Sequence, residues 1–335
     1  GTNVDIDKLY LTFSGNLSLK GLYLEDQNQD TLLYSQALEV SVGLLPLIKG
    51  DEINIKKVDW NGLKARVIRP EASESFNYQF LIDAFASPAD STVTDTTSTT
   101  APEINIGNVY FNNFDLIYVD EPQGMLANLK LGSLALQVET LDLDKFIFEV
   151  DELSISNTQI NYELNKKAQV TQATEEGNEA MQLPQLAVGL LNLENVRLNY
   201  KSLPDFTEAE LDLEELILEL PLADLNTQKI VLDELTLTNS KGVYRQTDAQ
   251  TDQPEAQAPP TSTQPIAFEW PDWNVEAKNI SLANNVLTLQ TANTYLESGV
   301  FNPEWIDLQG LIFKAGDISL KPGEANFELN NLAFK

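Results

Sequence analysis

One pattern of hydrophobic residues is repeated eight times along the chain. In each copy, apolar residues stand at offsets 0, 2, 5 and 7 from its first residue, offset 9 is Asn in five copies, and offset 14 is Tyr in four. The copies begin at Leu17, Ile53, Ile104, Phe148, Leu186, Ile230, Val275 and Ile306. Because period-two spacing indicates a strand and Asn favours turns, each copy predicts a strand, a turn and a second strand.

The change from spacing two to spacing three inside each copy predicts a β-bulge. Strict alternation would place the second apolar pair on the opposite face, whereas one extra residue returns it to the first face. In the copy that begins at Ile230, the other face carries Asp, Glu and Thr side chains. Each strand is therefore expected to be apolar on one face and solvated on the other.

Helices are scarce, since the best helical spacing of apolar residues is confined to residues 75–85. One short helix cannot cover the apolar face of about twenty strands, so that face must meet another sheet, its own continuation or a ligand. A closed β-sandwich or barrel is one solution. A repeat array has no fixed strand number, which favours an all-β, elongated, antiparallel sheet curled lengthwise into an open hydrophobic groove. Twenty strands would span on the order of 90 Å.

Composition and charge narrow the function. The chain has 335 residues, of which 42% are hydrophobic, and no run of apolar residues is long enough to cross a membrane. A net charge of −30 repels nucleic acid and anionic headgroups. The absence of Cys and His removes thiol nucleophiles, zinc sites and the commonest general base. The sequence therefore predicts no enzyme, no catalytic residue, no metal, no cofactor and no nucleic-acid partner.

Three polar, low-complexity stretches interrupt the repeats, near residues 86–102, 165–182 and 246–265. Such segments bury too little apolar surface to order themselves and are predicted to be flexible loops. They divide one continuous array into approximate units at 1–102, 103–183, 184–265 and 266–335. The strand pattern runs to both ends of the sequence, which favours a piece of a longer protein.

Four stretches carry a resemblance to a known family: residues 17–26 (LSLKGLYLED), 30–34 (DTLLY), 44–50 (LLPLIKG) and 76–85 (FNYQFLIDAF). They resemble the N-terminal part of TamB-type translocation and assembly module proteins, of the AsmA-like group, as they occur in Bacteroidota. The recurrent apolar pattern resembles that group over residues 1–335. The most specific stretches lie within the first ninety residues.

The resemblance implies a periplasmic β-taco, a tapered groove with a hydrophobic interior. It implies transport of phospholipid between the inner and outer membranes and support of outer-membrane protein assembly. It also implies an inner-membrane anchor helix and an outer-membrane partner of the barrel-assembly family. The anchor and the C-terminal region that would engage this partner are missing from the sequence.

The apolar residues of the copies are the predicted lining for phospholipid acyl chains. A continuous apolar trough would offset the cost of about 0.8 kcal/mol per exposed methylene, without a catalytic residue or an energy source. The predicted lining residues are Ile53, Ile55, Val58, Ile104, Ile106, Val109, Leu153, Ile155, Leu191, Leu193, Leu232, Leu235, Leu237, Ile280 and Leu282.

Two other functions are compatible with the same pattern. A scaffold or chaperone for outer-membrane proteins would bind extended peptides by strand addition at a sheet edge, and changes in the lining would matter little. A surface adhesin would need exposed specificity residues, for which Trp270 and Trp273 are the candidates.

Overall fold

The computed structural model describes residues 2–42, 52–85, 103–142, 146–166, 183–247, 272–291 and 302–335. Within them the chain is nearly all strand and forms one mostly antiparallel sheet of fourteen strands. The predicted all-β, repetitive antiparallel class with very little helix is therefore confirmed.

The strands are β1 (Val4–Leu11), β2 (Leu17–Glu25), β3 (Thr31–Val42), β4 (Glu52–Arg69), β5 (Glu103–Asp120), β6 (Met125–Asp142), β7 (Ile147–Leu164), β8 (Gln185–Ser202), β9 (Thr207–Asp224), β10 (Lys229–Thr238), β11 (Lys241–Gln246), β12 (Asn274–Gln290), β13 (Trp305–Lys321) and β14 (Glu324–Ala333). The helix α1 (Gln79–Phe85) begins four residues later than predicted. No helix in the described part of the chain has the length and apolarity needed to cross a membrane.

The strands lie in the sheet in chain order, with β10 and β11 end to end in one position between β9 and β12. All neighbours are antiparallel except β4 with β5, β7 with β8, and β10 and β11 with β12, which are parallel. The predicted loops near 86–102, 165–182 and 246–265 lie outside the described residues, apart from the first two residues of the latter two.

The Asn residues at offset 9 do not reverse the chain, so the prediction of strand, turn and strand is wrong. Asn113, Asn157, Asn195 and Asn284 have φ angles of 57°, 51°, 52° and 56° in the middle of β5, β7, β8 and β12, and the strands continue past them. Only at Asn239 is the strand interrupted, between β10 and β11. A single residue in the left-handed region can kink a strand without ending it. In the described part of the chain, fourteen strands, several of them 17 or 18 residues long, stand where about twenty shorter ones were expected.

The predicted bulges occur at the change of spacing in several strand pairs. Ser41 of β3 pairs with Lys57 of β4, whereas the next residue, Val42, pairs with Ile55, which leaves Lys56 as the extra residue. Asp151 of β7 is the extra residue opposite β6 in the same way. These bulges keep the apolar side chains of each long strand on one face.

Motif copies lie side by side in each parallel pair. Ile55 pairs with Ile106, Leu153 with Leu191, and Leu235 with Ile280. Matching offsets thus meet across all three parallel junctions. The apolar stripe consequently continues from one antiparallel group of strands to the next.

One transverse row contains many of the best-buried side chains of the sheet. It comprises the residues at offset 10 and their partners, and we call it the central row: Ser35, Leu63, Phe114, Leu131, Thr158, Val196, Leu213, Ser240 and Asn285. Leu63 and Leu213 are each only 5% exposed. From β4 to β12, the motif residue of this row directly follows the Gly or Asn of positive φ.

Candidate functional site

The largest candidate surface is the apolar face, the side of the sheet that carries the motif residues. All substantial backbone contacts between described elements join strands that are hydrogen-bonded neighbours, and most described side chains of this face keep part of their surface exposed. The first and last strands, β1 and β14, do not pair with each other. The described residues therefore form a single sheet that does not close into a barrel.

The predicted lining residues lie in adjacent strands on this face. Leu232 is buried, and the side chains of Ile53 and Ile104 lie outside the described part although their backbones pair. The other predicted residues are half-buried: Ile55, Val58, Ile106, Val109, Leu153, Ile155, Leu191, Leu193, Leu235, Leu237, Ile280 and Leu282. Partial burial is expected of a face whose side chains touch one another but are not covered by a second layer.

The predicted lining omits the antiparallel strands that complete the face, although the sequence indicates a long strand at residues 211–220. The same offsets of 0, 2, 5 and 7 recur within β6 and β9. They comprise Leu129, Leu131, Leu134 and Leu136 in β6, and Leu211, Leu213, Leu216 and Leu218 in β9. Their pairing with β5 and β8 places these leucines between the motif strands. A search for the spacing without the Asn would have found them.

An aromatic cluster fills the central row near the β4–β5 junction. The Trp60 ring meets the rings of Phe111 and Phe114 edge to face at centroid distances of 6.1 and 5.6 Å. The Trp60 Nε1–H donates a hydrogen bond of 2.7 Å to Ser35 Oγ. The cluster shows that offsets 7 and 10 share one face, since their rings touch.

The central row becomes smaller and more polar near the β10–β12 junction. The backbone N–H of Ser240 donates to Asn285 Oδ1 over 2.8 Å, and Asn285 Nδ2 donates to the carbonyl of Leu237 over 2.8 Å. Asn285 thereby bridges the interruption between β10 and β11. No buried side-chain N or O atom in the described residues lacks a hydrogen-bond partner, so the row stays compatible with an apolar surface.

Charged side chains concentrate on the opposite, polar face. Exposed ion pairs join neighbouring strands there, as between Arg197 and Asp212 at 3.3 Å and between Lys201 and Glu208 at 3.4 Å. The chain carries 51 acidic against 21 basic residues. The sheet is therefore apolar on one side and acidic on the other.

An ion pair lies at one end of the β4–β5 junction, on the apolar side. Arg69 Nε and Nη2 donate to the two carboxylate oxygens of Asp120 over 2.8 and 2.6 Å, and the Phe76 ring packs 5.0 Å from the guanidinium. Burial raises the pKa of Asp120, but hydrogen bonds from Arg69, Gln123 and Tyr118 and the Arg69 charge bring it below its ordinary value.

We expect the Asp120→Asn variant to unfold more easily than the parent at neutral pH. A carboxyl whose pKa is lowered by folding contributes stability above its unfolded pKa of about 3.9, and that contribution is lost as pH falls through the folded value. The stability difference between parent and variant should therefore narrow below about pH 4. Urea unfolding at a series of pH values measures this difference.

Glu71→Gln is the matched control for this pH experiment, because it breaks an ion pair with Lys166 whose side chains are 65% and 46% exposed. An exposed pair contributes little, so the neutral-pH effect should be smaller than that of Asp120→Asn. The prediction would be contradicted if the difference in the free energy of unfolding between the parent and Asp120→Asn stayed constant down to the pH of acid unfolding.

No group of three or more acidic side chains in the described residues could hold a metal ion. Of the two tryptophans named for an adhesin, Trp273 is half-buried, and Trp270 lies outside the described part. No protein-family model, no curated protein and no solved structure matches this chain.

Proposed function

We propose that this protein carries phospholipid acyl chains along its apolar face between two membranes. The observation that carries the proposal is an apolar face that runs across one continuous sheet and whose described side chains are mostly only half-buried. Thirteen strand positions spaced ~4.8 Å apart extend over about 58 Å. Sheet faces of soluble proteins are normally buried on one side, so a face of this size requires an occupant.

The backbone supports a lengthwise bend of the sheet into a groove. Residues with φ in the left-handed region lie in the same transverse row of successive motif strands, from Gly62 in β4 to Asn284 in β12. Each such kink re-aims its strand, and kinks aligned across strands bend the sheet along their common row. Side chains inside a bend are crowded, and the well-buried central row lies beside these kinks. The apolar face is therefore the inside of the proposed groove.

The lining suits a ligand without a fixed position. Its members are aliphatic and repeat at equal offsets, so an acyl chain meets equivalent contacts at each strand. Each methylene kept out of water is worth about 0.8 kcal/mol, and successive positions offer about the same amount. Movement along the groove then needs neither a catalytic residue nor a cofactor.

The acidic polar face is consistent with the same proposal, because its negative charge repels anionic headgroups and nucleic acid and so leaves the apolar face as the binding surface. Periplasmic location, attachment to the inner membrane and engagement of an outer-membrane barrel-assembly protein follow from the resemblance to TamB-type proteins. They are parts of the proposal.

A variant with Leu193→Asp and Leu235→Asp should lose co-purifying phospholipid. Two carboxylates in the lining would have to be desolvated by any acyl chain that covers them. The matched control is Asn192→Asp with Thr236→Asp, which adds the same charge to the same strands on the polar face. Lipid extraction and native mass spectrometry of proteins purified from bacteria measure the lipid-to-protein ratio.

We expect phospholipid in the parent and in the polar-face control, and its near-complete loss in the lining variant. Circular dichroism establishes that all three proteins keep their strand content. Absence of lipid from the parent, or equal lipid in the lining variant, would overturn the proposal.

A second candidate function is assembly of outer-membrane proteins by strand addition. Every residue of β1 and β14 is exposed, and apolar side chains such as Leu11 and Phe327 are 65% and 60% exposed. Unpaired strand edges bind extended peptides through main-chain hydrogen bonds. This function would be favoured if the parent carried no lipid and if the parent and the lining variant bound extended peptides equally well.

A further inference from the structure

Four tyrosines lie in one transverse row near one end of the strands. In register order, this row contains Val67, Tyr118, Ala127, Tyr162, Tyr200, Ala209, Tyr244 and Leu289. The tyrosines occupy offset 14 of their motif copies, four residues beyond the central row, or about 13 Å along a strand. We call these residues the tyrosine row. Its two alanines leave space beside the rings.

The middle of the tyrosine row has free hydroxyls on packed rings. The rings of Tyr162 and Tyr200 stack at a centroid distance of 5.6 Å and an interplanar angle of 7°. Neither hydroxyl makes a hydrogen bond within the described residues, whereas those of Tyr118 and Tyr244 reach Asp120 at 3.5 Å and Gln246 at 3.3 Å. Burial and then the neighbouring Tyr200 raise the pKa of Tyr162, which keeps its hydroxyl protonated as a donor.

Among the described residues, the motif positions at the opposite end of the same strands carry no comparable groups. Offset 0 of the motif is Phe148 in β7, Leu186 in β8 and Ile230 in β10, all half-buried on the apolar face. One margin of this face is therefore amphipathic, and the other is purely apolar. Tyrosine is favoured at boundaries between hydrocarbon and water, because its ring is apolar and its hydroxyl needs a polar partner.

We infer that the tyrosine row is the lip of the groove over which lipid head groups lie, with Tyr162 and Tyr200 donating hydrogen bonds to the phosphate and ester oxygens of a phospholipid. This inference rests on the proposed transport of acyl chains. It gives the bound phospholipid an orientation: the acyl chains lie inside the groove, inward of the tyrosine row, and the head groups project from the groove on that side alone. It also adds selectivity for lipids with acceptor oxygens over bare hydrocarbon.

A displacement assay tests the hydroxyls. The full chain is loaded with diphenylhexatriene, a fluorescent hydrocarbon, and palmitoyl-oleoyl phosphatidylethanolamine is added as competitor. In a variant with Tyr162→Phe and Tyr200→Phe, which keeps the rings, the phospholipid concentration for half-displacement should rise about tenfold, as expected for lost hydrogen bonds to a charged group. Binding of diphenylhexatriene itself should stay unchanged, because the apolar lining is intact.

The control for the displacement assay is a variant with Tyr34→Phe and Tyr110→Phe. These tyrosines pair with Lys64 and Ala135 on the polar face, so the control removes two hydroxyls away from the lip. Phospholipid should displace diphenylhexatriene from this control at the same concentration as from the parent. Equal displacement in the lip variant and the parent would overturn the inference and leave acyl-chain binding standing. Failure of the parent to bind either probe would overturn the proposed function itself.

Orientation is tested separately with single cysteines, since the chain has none. Leu164→Cys and Phe148→Cys place a fluorescent label at the two ends of β7. A phospholipid labelled on its head group should transfer energy more efficiently to the label at position 164 than to the label at position 148. Equal transfer to both positions would overturn a single lip.

Discussion

Replacement of Gly189 by Ala is expected to lower the free energy of unfolding by about 2 to 3 kcal/mol, as strain at a tight backbone contact does. A Cβ at Gly189 would stand 2.6 Å from the carbonyl oxygen of Asp151, the bulged residue of the neighbouring strand. Because Val150 and Glu152 on either side of Asp151 are paired with β8, that carbonyl cannot readily rotate away. Chemical denaturation of parent and variant measures the loss.

The same contact is repeated at another parallel junction. A Cβ at Gly107 of β5 would lie 2.6 Å from the carbonyl oxygen of Lys56 in β4. Both glycines occupy offset 3 of their motif copies. Gly107→Ala should therefore cost about as much as Gly189→Ala, again about 2 to 3 kcal/mol.

Gly242→Ala is the matched control for the glycine variants. It also lies in a strand at a parallel junction, but the nearest atom to its added Cβ is Leu287 Cδ1 at 3.7 Å, an ordinary contact. Ala has less backbone freedom to lose on folding, so this variant should be unchanged or more stable by up to about 1 kcal/mol. Equal losses at Gly242 and Gly189 would show that the close backbone approach is not the cause.

The glycine contacts also show what the sequence could not predict. The spacing of apolar residues predicted strands, bulges and a single apolar face, because these depend on local alternation. The partner of each strand depends on the segments between strands, and the sequence contains no pairing signal for β4 with β5. The role of Gly189 appears only once β7 and β8 are known to be parallel and in register.

The misassigned turns have a different cause. Asn adopts the left-handed region both in hairpin turns and in isolated kinks, so Asn157 alone does not distinguish a reversal from a bend. The decisive feature is the residue after it. Thr158 lies in the central row and the apolar alternation then continues with Ile160 and Tyr162, which requires the chain to proceed in the same direction.

The face predicted to bind lipid must also hold the sheet together, and these two roles fall on different rows. Lining residues such as Leu193 keep part of their surface accessible, whereas Leu213 in the central row is 5% exposed. The central row contains several of the least exposed apolar side chains of the sheet and serves as its core. Substitutions there should therefore change folding before they change binding.

Leu213→Ala is accordingly expected to lower the free energy of unfolding by about 3 kcal/mol, because it removes a well-packed side chain and leaves a cavity between β8 and β11. Leu287→Ala, on the same face but 43% exposed, is the control and should cost less than about 1 kcal/mol. Thermal and urea unfolding measure both variants. If they lost equal stability, the central row would not be the core, and the proposed bend of the sheet would lose its support.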